Sequence, residues 1–147
     1  MLTSFLIFYH TVSNNTNMNY ILYYFFVFLL GGQGYCTLEM LWRGRTHYSM
    51  FFAGGIILMI LFYISAEMKK TPLFKKCLLG AVIITAVEFI FGIIFNILLN
   101  MNVWNYENVP FNILGQICLP YSILWLGLCF ILFKWVIKDK FILKFQA

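Results

Sequence analysis

Charge is what this sequence has least of. Asp, Glu, Lys and Arg make up 10% of its 147 residues, against about 25% in an average soluble protein. Hydrophobic residues make up 63%. A soluble domain of this length leaves much of its surface in water, and ten basic and five acidic side chains cannot cover it. A soluble globular fold and a disordered chain are both excluded, which leaves a membrane-embedded protein. Catalytic and nucleotide-binding signatures are missing too. There is no GxxxxGK(S/T) phosphate loop, no HExxH, no GxSxG elbow and no Cys/His cluster at metal spacing. No metal or cofactor is therefore expected, and ATP-driven work needs an ATPase on another chain. The four cysteines, Cys36, Cys77, Cys118 and Cys129, form no CxxC pair. They read as small apolar packing residues, not as a disulfide or zinc framework.

What the chain does have is four long apolar runs: Tyr20 to Trp42, Met50 to Ala66, Leu78 to Leu99 and Ile117 to Ile137. Each is close to the roughly 20 residues that cross a bilayer as a helix. A β-barrel needs alternating segments of about ten residues, whereas these runs are continuous. The expected fold is an all-α integral membrane protein with four transmembrane helices in a domain of residues 20–137. The net charge of +5 falls between and after the runs. It reads as anchoring against lipid headgroups, not as a nucleic-acid surface.

The basic residues are unevenly placed. Lys69, Lys70, Lys75 and Lys76 follow the second run, and Lys134, Lys138, Lys140 and Lys144 close the chain. Only Arg43 and Arg45 follow the first run, and no Lys or Arg lies between the third and fourth. Basic loops favour the cytoplasm, which predicts both termini there and residues 138–147 as a basic cytoplasmic tail. Residues 1–19 read as an N-terminal extension, either interfacial or preceding a true start at Met18. It holds an Asn14-Asn15-Thr16 glycosylation sequon, a common pattern. Trp42, Trp125 and Trp135, near the run ends, fit an interfacial aromatic belt.

The informative residues are those that do not belong in lipid. A carboxylate in hydrocarbon must pair, take up a proton or line a wet cavity. Glu88 lies near the middle of the third run. Thr85, Glu88, Gly92 and Asn96 follow one another at spacings that share one helix face. The face suits either a functional site or hydrogen-bonded glue between helices. Glu39, near the end of the first run, shares a face with Gly32, Cys36 and Arg43. Glu39 and Arg43 stand in the favourable (i, i+4) order. The loop after Trp42, with Arg43, Arg45 and His47, is either an anion-holding site or an ordinary headgroup-contacting loop.

The stretch Asn100 to Gln116 alternates polar and aromatic residues, among them Trp104, Tyr106, Glu107 and Asn112, with no basic residue. It predicts a short interfacial or re-entrant segment that caps the bundle between helices three and four. Its Asn and Glu side chains are expected to meet the two arginines. Gln116 opens the fourth span, and Pro120 is expected to loosen its first turns. The candidate polar site therefore draws on Glu39, Arg43, Arg45, His47, Thr85, Glu88, Asn96, Trp104, Tyr106, Glu107, Asn112 and Gln116.

Three stretches carry a resemblance. They are Leu38 to Met50 followed by Gly54-Gly55; Ile84 to Phe89 with Gly92 and Asn96; and Val103-Trp104-Asn105-Tyr106 with Pro110 and Gln116 to Trp125. In order and spacing they resemble the CmpB-like small bacterial membrane proteins, the family called "Putative ABC-transporter type IV". The resemblance runs over about Asn19 to Ile137. It implies an ABC-type permease in a bacterial plasma membrane, served by a separate ATPase subunit. One departure is visible: the family commonly reads Trp-Asp-Tyr-Ser where this chain has Trp104-Asn105-Tyr106-Glu107.

Three functions remain open. In the favoured one, the acidic spans and the arginine loop form an outward-facing polar site of a transport component. Such a component would sit among membrane lipids and work as a homo-oligomer. A membrane enzyme for lipid-linked or phosphate-bearing substrates would use Glu39 and His47 as acid and base, with Arg43 or Arg45 on the phosphate. A non-catalytic partner or assembly protein would need only tight packing and the cap.

Overall fold

The computed structural model describes residues 16–136, with side chains described from Tyr20 to Lys134. Residues 1–15, which hold Asn14 and Asn15 of the sequon, lie outside the described residues, as do the Trp135 side chain and the tail 138–147. Four helices follow one another: α1 (Thr16–Arg43), α2 (Tyr48–Glu67), α3 (Leu73–Phe91) and α4 (Leu119–Ile131). Two of them run on as wider π-helical turns, α3 through Gly92–Leu98 and α4 through Leu132–Val136. Between the α3 extension and α4, β1 (Asn112–Ile113) and β2 (Ile117–Cys118) pair antiparallel.

Backbone in hydrocarbon must satisfy its own hydrogen bonds, so uninterrupted apolar runs become helices. Their ends are set by local chemistry. After Arg43, Gly44 takes a φ of 67°, and its N–H reaches the Met40 carbonyl at 3.0 Å. This is a left-handed glycine cap. At the start of α2, extended His47 accepts the Ser49 N–H on Nδ1 at 3.3 Å. Pro72 precedes α3, and its missing N–H is no loss at a position that has no helical partner. The third helix thus starts at Leu73, ahead of the apolar run, and carries Lys75 and Lys76 in its first turn.

The fourth helix corrects two expectations. Ile117 and Cys118 belong to the β-ribbon, and the helix starts at Leu119. Pro120 sits in its first turn, where it breaks no hydrogen bond, so it does not loosen the helix.

α1 packs on α2 and α3 on α4, with α2 against α3 joining the pairs. The first seam depends on close backbone approach. A Cβ on Gly31 would lie 2.4 Å from the Gly54 carbonyl oxygen, so only glycine fits. Small residues are how helices gain contact where lipid is as apolar as they are. Ile57, Leu61 and Phe62 of α2, Cys77 and Ile84 of α3 and Cys129 of α4 fill the centre. Outward, Ile21, Leu30, Ile90 and Leu124 are exposed, as a lipid-facing surface requires. The cysteines are free thiols, three of them buried. α1, α2 and α3 with its extension are long and apolar enough to cross a membrane, while α4 is apolar but shorter.

Candidate functional site

Glu88 is 4% exposed, one turn before α3 widens. Its Oε1 accepts the Tyr35 hydroxyl of α1 at 2.6 Å, and its Oε2 accepts the Trp125 indole N–H of α4 at 2.7 Å. One acceptor-only group thereby ties three helices, with both oxygens satisfied. α1 continues the arrangement at helical spacing, because Tyr35, Glu39 and Arg43 stack along one face. Glu39 pairs with Arg43 through Oε1 and accepts the Thr46 hydroxyl on Oε2 at 2.7 Å. The other Arg43 nitrogen, Nη1, donates to the Val103 carbonyl at 3.3 Å. Glu39 and Arg43 are both within electrostatic reach of Glu88.

Tyr106 closes this cluster from the connecting segment. Its ring stacks on Tyr121 of α4 with centroids 4.7 Å apart, and Trp42 donates to the Tyr121 hydroxyl at 3.1 Å. Burial, and after it the negative charge of Glu88, push the Tyr106 phenol far above its ordinary range. It is a neutral group at any physiological pH.

A second cluster lies further along α3. Asn96, in the π-helical stretch, donates to the Trp104 carbonyl at 2.9 Å and to Gln116 Oε1 at 2.7 Å. Its Oδ1 accepts the Val103 N–H at 2.6 Å. Trp104 donates its indole N–H to the Gln116 carbonyl at 2.8 Å. Gly92 makes room for Gln116, since a Cβ there would lie 2.7 Å from Gln116 Oε1. Thr85, at the other end of this face, donates to Ser122 of α4 at 3.1 Å. The face Thr85, Glu88, Gly92 and Asn96 therefore meets α4 and the connecting segment along its length.

That segment, residues 99–118, contains no helix. It folds as irregular turns closed by the β1–β2 ribbon. Asn100, Asn102, Phe111 and Leu114 adopt left-handed φ of 49–57°, at about 1 kcal/mol or more each. Side chains hold the shape. Asn112 donates to the carbonyls of Glu107 and Val109 at 3.1 and 2.8 Å, and Asn105 donates to Glu107 Oε2 at 3.0 Å. They enclose a concavity of about 440 Å³ that Asn96, Trp104, Glu107, Asn112 and Gln116 help to line.

The expected meeting of this segment's acid with the arginines does not form. Arg43 takes a backbone carbonyl and Glu39, while Glu107 bonds within the segment. Arg45 is exposed and makes no hydrogen bond or ion pair. His47 is occupied as a helix cap, with Ser49 Oγ 2.8 Å from its Nδ1. The candidates thus divide into the Glu39–Arg43–Glu88 centre with Tyr106, and the Asn96–Trp104–Gln116 lock with Glu107 and Asn112. Arg45, His47 and Thr85 stand apart from both. Tyr35, Thr46, Tyr121 and Trp125 were not among the sequence candidates. Tyr35 had a signal, four residues before Glu39 on the same face. Trp125 had none, because a tryptophan in an apolar run looks like belt or filler.

Fold and site define a small helical membrane protein built around a buried, hydrogen-bonded carboxylate beneath a polar cap. The chain belongs to the family described as "Putative ABC-transporter type IV", whose model matches residues 7–146. Comparison with curated proteins and with solved structures gave no significant match.

Proposed function

We propose that the chain is a transport component of a bacterial plasma membrane. It crosses the membrane four times, with both termini in the cytoplasm and a polar site opening outward under the cap. Glu88 carries this reading. Arg43 is paired with Glu39, while the contacts of Glu88 are the neutral Tyr35 hydroxyl and Trp125 indole. One negative charge is left inside the bundle for a proton or a cation to match. The route to it follows the α3 face, from the cap concavity past Asn96 and Gln116, along Gly92, to Glu88. From Leu119 to Val136, α4 with its extension rises about 25 Å, a few ångströms short of the hydrocarbon thickness of about 30 Å, which leaves room for a fourth span. Four helices enclose no wide path alone, so a second copy or a separate ATPase subunit completes the machine. Little favours an enzyme, since Glu39 is committed to Arg43 and Thr46, and His47 to Ser49.

The test uses right-side-out membrane vesicles from cells with the gene, cells without it, and cells carrying Glu88→Gln. Energised vesicles receive a defined mixture of amines, amino acids, sugars and organic acids, and mass spectrometry reads their contents. At least one solute class should accumulate about tenfold less without the gene and with Glu88→Gln. Equal contents in all three would overturn the reading.

A further inference from the structure

We propose that the cap concavity binds a small organic cation bearing N–H donors, a primary amine, with Glu107 as its counter-charge. This deepens the transport reading and rests on it for what the site serves.

The hydrogen-bond inventory of the lining points to a donor ligand. Asn96 spends both amide N–H groups on the Trp104 carbonyl and Gln116, and Asn112 spends both on the Glu107 and Val109 carbonyls. The Trp104 indole N–H is spent on the Gln116 carbonyl. Asn105 gives one N–H to Glu107, and Gln116 gives one to the Leu114 carbonyl. Acceptors are left over. Glu107 Oε2 takes a single bond, and Oε1 takes none. Glu107 is also the one charged residue in the lining, and the sequence from Asn100 to Gln116 holds no Lys or Arg. The uncommitted donors are the Asn102 amide and one N–H each on Asn105 and Gln116, and an anion would find no counter-charge beside them. A neutral sugar could use those donors but would leave the Glu107 charge unmatched. An ammonium group brings the N–H bonds and the positive charge that the wall lacks.

Size and shape narrow the class. A concavity of about 440 Å³ is in the range of small-molecule sites and far larger than a bare ion. Among the described residues no group of three or more His, Cys, Asp and Glu could hold a metal. The cap is also shaped around the carboxylate. Gly115 has a φ of 66°, and a Cβ on it would lie 2.8 Å from Glu107 Cγ. Only glycine lets the Glu107 side chain lie against that turn.

The purified chain in phosphatidylcholine nanodiscs, without any ATPase, is titrated calorimetrically with primary amines from methylamine to tyramine. Succinate and glucose serve as anionic and neutral controls. At least one amine should saturate, and Glu107→Gln should weaken it about tenfold or more. Glu107→Asp, which keeps the charge, should retain most of the affinity and so separates lost charge from a collapsed cap. Tetramethylammonium, a cation without N–H donors, should bind more weakly than the amine. The proposal is overturned if no amine saturates, if Glu107→Gln binds as well as the natural chain, or if succinate or glucose is preferred. Amine binding without vesicle uptake leaves this site standing and removes the transport reading. Uptake that Glu88→Gln abolishes, with no amine binding, does the reverse.

Discussion

A buried carboxylate is held by the donors that meet it, and at Glu88 those are one phenol and one indole. Tyr35→Phe removes its donor and keeps the ring, whereas Trp125→Phe removes the indole N–H together with one of its two rings and so adds a packing loss. Tyr35→Phe and Trp125→Phe should each lower stability by about 1–3 kcal/mol, because an acceptor is left unsatisfied in a dry site. Unfolding in graded detergent mixtures, followed by circular dichroism, measures this. Losses near zero for both variants would mean that Glu88 finds water or another partner. The sequence marked Glu88 clearly, as an acid in an apolar run. Its partners were hidden, because spacing along one helix says nothing about which residue of another helix comes opposite. For Arg45 and His47, the sequence leaves both an anion site and a headgroup-contacting loop open. Their loop had the composition of an anion site, yet His47 spends its Nδ1 capping α2 and Arg45 faces solvent.

At the scale of elements, hydrophobic length revealed the helices well and their ends poorly. The ends depend on Gly44, His47 and Pro72, which lie outside any count of apolar residues. The π-helical stretch and the two-residue strands were not legible at all. Asn96 in the first π-helical stretch bonds across to Val103, Trp104 and Gln116, and Asn112 bonds to the turn before it; such bonds leave no period in the sequence. The shared face of Thr85, Glu88, Gly92 and Asn96 was readable from spacing alone. That face leads to a prediction at Gly92. Gly92→Val puts a branched side chain where Gln116 Oε1 and Cβ would lie only 2.7 and 2.8 Å from a new Cβ. Overpacking of this kind costs about 1–3 kcal/mol, and it falls on the bond between Gln116 and Asn96. The Val103 N–H, bonded to Asn96 Oδ1 at 2.6 Å, should then exchange with deuterium faster. Unchanged exchange at Val103 would mean that the lock moves as a unit and the strain is absorbed elsewhere.

For the whole molecule, the question is which way the bundle faces. The Arg43–Val103 contact puts the α1–α2 loop and the cap at one end. The α2–α3 turn, with Lys69 and Lys70 beside Lys75 and Lys76, must then lie at the other. That relation holds whatever the membrane does, and the lysine bias predicts the orientation. Single cysteines placed at Arg45, Asn108 and Lys70, in a chain with Cys36 changed to Ser, report it through a membrane-impermeant maleimide. Arg45→Cys and Asn108→Cys should label in intact cells, and Lys70→Cys only after permeabilisation. The reverse pattern would put the concavity and Glu107 in the cytoplasm and turn the proposed entry site into an exit. Labelling of Arg45→Cys and Asn108→Cys from opposite sides would contradict the Arg43–Val103 contact itself. Replacing all four lysines of the α2–α3 region with glutamine adds the causal test. If those charges fix the bundle, part of the population should invert, and chains without these four lysines should label at Asn108→Cys less than their parents do.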